Sequence, residues 1–126
     1  MLFSQSLEAG IERVVHDLLL RSGKRIGTAE SCTAGMLGMF LTNTPGSSTY
    51  YLGGVNSYSG QMKISVLGVN RKTIEKHGEV SEETAAEMAR GIRKLLNSDI
   101  GLSITGIAGP SGGTREKPVG TVWMAW

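Results

Sequence analysis

The chain has 126 residues, of which 40% are apolar and 19% charged, and its net charge is +2. That length fits one compact domain with an ordinary core, and the composition is that of a globular protein. Two excess cations make no basic patch, which argues against nucleic acid or an anionic membrane as partner, and a lone cysteine excludes an internal disulfide and fits a reducing cytoplasm.

The chain opens with Leu7, Ile11, Val14, Val15, Leu18 and Leu19 at helical spacing, stopping at Ser22-Gly23, a helix C-terminal signal. Acids and bases interrupt these apolar residues, so the stretch predicts an amphipathic helix with His16 on its polar side. It predicts neither a signal peptide nor a membrane span. "KRIGTAE" predicts a short strand, and "CTAGMLGMFLTN" predicts a helix rich in small residues that ends before Pro45. "TYYLGGVNSYS" reads as a second strand, "GQMKISVLG" as a short helix, and Asn70 as the cap of another helix through His77-Gly78. The strongest helix covers residues 81–97: Ser81 is its N-cap, Glu82 and Glu83 suit its positive start, and Ala85, Met88, Ala89, Ile92, Leu95 and Leu96 form one stripe. "DIGLSIT" is a buried-type strand, "GIAGPSGGTREKP" a loop, and "VGTVWMAW" a final strand.

Strands alternating with helices imply an α/β layered sheet, and the absence of repeats or linkers implies one domain over residues 1–126. The sequence ends at Trp126 inside an apolar strand with no helix following to cover it. The expectation is a chain cut short of its C-terminal helical tail, or one whose open face is covered by another chain through self-association.

Three places invite chemistry. "TAESCTAG" sets Ser31 after a strand and at an expected helix start, where free backbone amides can stabilise an oxyanion. On this motif alone, Ser31 or Thr33 acting as a helix cap is the stronger reading. Cys32 reads as a packing residue before a nucleophile, and Glu30 as a base or equally as a group stabilising the helix start. A serine nucleophile needs a base, and the two imidazoles, His16 and His77, both read as structural or solvated. That leaves a lysine whose burial would lower its pKa. Lys63 in "SYSGQMK" lies one turn into a helix after a strand, with Tyr58 at the strand's end; on residues alone it reads as a surface lysine.

The third place is the glycine-rich loop. The 18 glycines cluster at 53–54, at 106–113 and around 101 and 120. "TGIAGPSGG" after a buried strand is a place where backbone amides can cradle a phosphate, although it is neither a Walker A loop nor a dinucleotide fingerprint. One cysteine and two distant histidines give no metal-ligand spacing.

Four long segments in order, "TAESCTAG", "GSSTYYLGGVNSYSGQMKISVLGV", "HGEVSEETAAEMARG" and "SITGIAGPSGGTREKPVGTVWMA", resemble the C-terminal domain of competence-damage-inducible protein A. The same domain occurs alone as nicotinamide-nucleotide amidohydrolase (NMN deamidase). The resemblance implies a three-layer α/β/α sandwich around a mixed, mostly parallel sheet. It also implies hydrolysis of the carboxamide of nicotinamide mononucleotide (NMN) to nicotinic acid mononucleotide and ammonia, in pyridine nucleotide recycling, without a metal or other cofactor. It carries over Ser31 as nucleophile, Lys63 as base and Tyr58 as helper. It places substrate handling at Thr33, Gly35, Ser48, Thr105, Gly106 and Gly109, and it implies a cytoplasmic homo-oligomer whose partner is a small nucleotide. A non-catalytic nucleotide-binding domain and a Cys32 thiol enzyme are the rival expectations.

Overall fold

The computed structural model describes residues 10–126, so Leu7 of the expected first helix lies outside the described residues. Helix α1 spans Ile11–Ser22 and ends on Gly23 in the left-handed conformation. Strand β1 is Ile26–Glu30, helix α2 Met36–Thr42, and a short 3-10 turn covers Ser47–Thr49. Strand β2 (Tyr51–Asn56) leads into α3 (Gly60–Leu67), α4 (Arg71–His77) and α5 (Glu82–Leu96). Strand β3 (Ile100–Gly106), a long glycine-rich loop and β4 (Val122–Ala125) complete the chain.

The sheet runs β2-β1-β3-β4, with β1 parallel to both β2 and β3, and β4 antiparallel to β3. It is the expected mixed, mostly parallel sheet. Strand β1 is central and buried at all five positions, as a strand covered on both faces must be. Its alternate residues feed two cores. On one face Ala29 joins Leu67, Val69, Met88 and Ile92, brought by α3 and α5. On the other, Ile26 joins Leu19, Leu41 and Tyr50, brought by α1 and α2. These layers make the three-layer α/β/α architecture that the sequence implied.

The caps expected at Asn70 and Ser81 lie where the side chains predict them, and Ser59 caps α3 in the same way. Ser59, Asn70 and Ser81 each accept a backbone N–H from the first turn of their helix. Leu95, expected in the buried stripe of α5, is instead exposed, while Leu96 packs on the core.

Two local expectations need correction. The helix after β1 begins at Met36, not Cys32, because Ala34 (φ 49°) and Gly35 (φ 99°) take left-handed conformations that no helix continues. In α1 the buried side chains are His16 and Leu19, while Ile11 and Leu18 are exposed. His16 therefore faces the core and not the polar side. Its Nδ1 lies 3.0 Å from the Tyr50 hydroxyl, which in turn donates to the Leu41 carbonyl at 2.7 Å. A buried phenol needs a partner for its hydroxyl, and His16 completes that chain.

Candidate active site

A parallel sheet places its sites beyond the carboxyl ends of its strands, where the strand order reverses. Here β1 connects outward to β2 on one side, and the chain then crosses to β3 on the other. At that position Ser31, the residue after β1, donates its amide to Ile104 O at 3.0 Å, and Ser57, the residue after β2, donates to Glu30 O at 2.8 Å. Both strand ends are thus pinned to the sheet before the chain turns away.

Helix α3 delivers the lysine. Capped by Ser59, it places Lys63 one turn in, where the side chain runs back toward the strand ends and is only 1% exposed. The Lys63 Nζ donates to Ser57 O at 2.9 Å and Tyr58 O at 3.3 Å, and lies 3.1 Å from Ser31 Oγ. An ammonium has three donors, and these three acceptors use them all. Burial pushes the Lys63 ammonium below its ordinary pKa, opposed by the Glu79 carboxylate 3.6 Å away. Because α3 presents its positive N-terminal end here, the helix disfavours the cation further.

A cleft of about 350 Å³ opens over this pair, lined by Ser31, Cys32, Tyr58, Lys63 and Glu79 on one side and the Thr105–Gly112 loop on the other. The structure therefore brings Ser31, Lys63, Tyr58, Thr105, Gly106 and Gly109 to one cavity. Thr105 is fully buried and donates its hydroxyl to Glu79 O at 2.9 Å. A side chain at Gly106 would collide with Thr121 O at 2.9 Å and Cys32 Sγ at 3.0 Å, so glycine is what lets the loop approach the β1 turn. Tyr58 is 75% exposed, and its carbonyl, not its phenol, holds the lysine.

Thr33, Gly35 and Ser48 are not among the residues that line this cleft. Among the described residues Thr33 Oγ1 is buried without a hydrogen-bond partner, Gly35 donates its amide to Glu30 Oε2 at 3.1 Å, and Ser48 is exposed on the 3-10 turn. The amides at the observed start of α2 are employed within the fold. Glu30 takes the amides of Gly35, Leu37 and Gly38, so the helix N-terminus is closed by a carboxylate. Of the two roles the sequence left open for Glu30, the structure shows the stabilising one.

The CinA C-terminal domain model matches residues 8–126. The chain belongs to the CinA C-terminal domain family. It is 51% identical over 117 residues to a CinA-like protein of Kosmotoga olearia and 53% identical over 114 residues to one of Thermotoga maritima, covering 93% and 90% of this chain. The chain spans 28% of the length of these curated relatives. A crystal structure of the competence damage-inducible protein A (ComA) from Klebsiella pneumoniae is similar to it, with a TM-score of 0.87 and 40% identity over 91% of this chain and 71% of that one. A CinA superfamily protein from Escherichia coli is similar at a TM-score of 0.87 and 36% identity, over 91% of this chain and 67% of that one.

Within this CinA domain, sequence reasoning missed Glu79. It lies in the short connection between α4 and α5, and no local pattern marks such a residue as facing a lysine sixteen positions earlier. The only available hint was its place just before the Ser81 cap, which fixes where the chain must turn. Cys32 is half-buried at the cleft wall. Among the described residues, no helix is long and apolar enough to cross a membrane.

Proposed function

We propose that this domain hydrolyses the carboxamide of NMN to nicotinic acid mononucleotide and ammonia, with Ser31 as nucleophile and Lys63 as base. The observation that carries this reading is the 3.1 Å approach of Lys63 Nζ to Ser31 Oγ at the floor of a cleft. In the neutral amine, the two N–H bonds are directed at Ser57 O and Tyr58 O, which leaves the lone pair for the Ser31 hydroxyl. Lys63 then accepts the hydroxyl proton as Oγ bonds to the amide carbon. The amides of Cys32 and Thr33, which have no acceptor among the described residues, take the resulting oxyanion.

Collapse of this intermediate breaks the carbon–nitrogen bond, and the Lys63 ammonium returns its proton to the departing nitrogen as ammonia leaves. Water attacks the acyl-serine ester in the second half, with Lys63 again taking a proton, and Ser31 leaves protonated. Tyr58 positions Lys63 through its carbonyl, and its exposed phenol meets the bound substrate. Gly106, Gly109 and their neighbours offer the nucleotide a backbone-lined wall, a mode of binding that needs no basic patch. The single cysteine favours a reducing cytoplasm, and we further propose that the domain self-associates there, through apolar surface such as Met36, Met39 and Phe40.

Ammonia release from NMN by the purified protein, compared with Ser31→Ala, tests the reading. Release that depends on Ser31 supports it. Tight NMN binding by calorimetry with no turnover would instead indicate a nucleotide-binding domain, and equal turnover in Ser31→Ala but not Cys32→Ala would indicate thiol chemistry.

A further inference from the structure

Among the described residues, two charged side chains line the cleft, Lys63 and Glu79, and the hydrolysis above gives a role to the first alone. Glu79 is nonetheless held from three directions. Its carbonyl accepts the buried Thr105 hydroxyl at 2.9 Å, which ties the α4–α5 connection to the end of β3. The preceding turn is fastened as well, because the Lys117 ammonium donates to the His77 carbonyl. The carboxylate itself sits in a notch made by Gly60, the first residue of α3, where an added Cβ would lie 2.6 Å from Glu79 Oε1. Gly60 is not among the glycines with positive φ, so its backbone makes no demand for glycine. The carboxylate does. From that notch Oε2 reaches to 3.6 Å from Lys63 Nζ, beyond a hydrogen bond but well within an ion pair.

We propose that Glu79 is a positioning residue for the same site, holding the Lys63 ammonium against Ser31 and setting the pH at which Lys63 becomes a free base. The inference rests on the Ser31–Lys63 reading above and deepens it. A lysine buried this far loses its proton easily, and a lysine paired with a carboxylate keeps it; burial lowers Lys63 and Glu79 raises it. Glu79 is half exposed, so its hold is partial and adjustable by whatever enters the cleft.

The other ionisable groups around the lysine do not compete for this role. The Cys32 thiol faces it more weakly from the β1 turn, and Tyr58, a lining residue that is 75% exposed, meets the lysine with its carbonyl. Glu30 of β1 is occupied by helix amides, Glu83 of α5 by His77 of α4 at 3.2 Å, and Glu87 of α5 by Thr73 and the Asn70 amide. Lys63 is the only ionisable residue of α3.

Two measurements on wild type, Glu79→Gln and Glu79→Ala test the proposal. The first is the pH dependence of kcat/KM for NMN, and the second is the NMR titration of the Lys63 side-chain amine without substrate. With the anion removed, the ammonium is less stable, so the acid limb of the rate profile and the Lys63 midpoint both move to lower pH in both variants. The expected displacement is about one pH unit, the low end for an opposite charge at this separation because Glu79 is half exposed. Unchanged or raised midpoints in both variants, with thermal unfolding as in wild type, would overturn it. Should wild type release no Ser31-dependent ammonia, the hydrolytic reading fails, and the NMR midpoint still decides whether Glu79 governs Lys63.

Discussion

Two charges are buried at the end of β1, each 1% exposed, and the protein treats them in opposite ways. Glu30 points to the α2 face and accepts amides from Gly35, Leu37 and Gly38 at 2.8 to 3.1 Å, so its lone pairs are spent on backbone. Ser31, one residue later, points to the α3 face because the chain is still extended and side chains alternate. There Lys63 meets two carbonyls and one hydroxyl, and the hydroxyl borders an open cleft. A buried charge closed entirely by backbone groups is a structural device. A buried charge with one exchangeable partner on a cavity is a chemical one, and a single step along the chain separates the two.

The largest expected effect breaks the chemical half and spares the other. Ser31→Ala and Lys63→Met each lower kcat for NMN hydrolysis by at least about a thousandfold, as removal of a nucleophile or its base does. Lys63→Arg does not restore it, since a guanidinium stays protonated at any working pH. Ammonia release under saturating NMN reads both results. A loss of less than tenfold in Lys63→Met would show that the 3.1 Å contact is structural after all.

How much of this contrast the sequence disclosed follows from how local each feature is. Strand and helix alternation, the caps at Asn70 and Ser81, and the buried run of β3 depend on neighbours in sequence, and the structure shows them where periodicity and cap chemistry predict. Ser31 and the Thr105–Gly109 loop were visible because they follow strands, and strand ends of a parallel sheet converge. Lys63 was less so. Its place one turn into a helix after a strand singled it out, yet by residue type it reads as a surface lysine, and only the family resemblance turned that reading, because burial of an ammonium depends on carbonyls supplied by Ser57 and Tyr58. The helix start after β1 was misplaced for a related reason, since the Glu30 carboxylate supports a five-residue turn that small residues alone do not announce. His16 was assigned to the wrong side of α1 because its partner, Tyr50, lies thirty-four residues away.

The structural half predicts a loss of stability instead of activity. Glu30→Ala removes three charge-assisted bonds from buried amides and costs about 3 kcal/mol in urea unfolding, the scale set by charged hydrogen bonds that are partly non-additive. A loss under about 1 kcal/mol would mean that α2 starts without it. Lys63→Met, by contrast, stays within about 1 kcal/mol of wild type at pH 7, because exchanging a desolvated ammonium for an apolar chain offsets the lost bonds to carbonyls. The sign of its pH dependence is fixed. Lys63 in the folded protein titrates below its ordinary 10.5, so between those two values the unfolded chain holds the proton and wild-type stability rises with pH. Wild type therefore gains on Lys63→Met from pH 7 to pH 10, and a difference that stays flat would show that folding leaves the lysine's titration untouched.

The smallest expected effect is the sharpest on the chemical side. Gly60→Ala adds one methyl at the start of α3, aimed at Glu79 Oε1 and not at any backbone. The far end of a glutamate can swing away, and alanine suits a helix better than glycine by up to about 1 kcal/mol, so unfolding free energy changes by no more than about 1 kcal/mol in either direction. The carboxylate, once displaced, holds Lys63 less well. The NMR midpoint of Lys63 accordingly moves to lower pH, in the same direction as in Glu79→Gln but by less, and the acid limb of the rate profile moves with it. Destabilisation beyond about 2 kcal/mol with an unmoved Lys63 would locate the need for glycine in helix packing and detach Gly60 from the site. A shifted midpoint on an equally stable fold makes the missing Cβ at position 60 part of how this domain sets the protonation of a lysine three residues away.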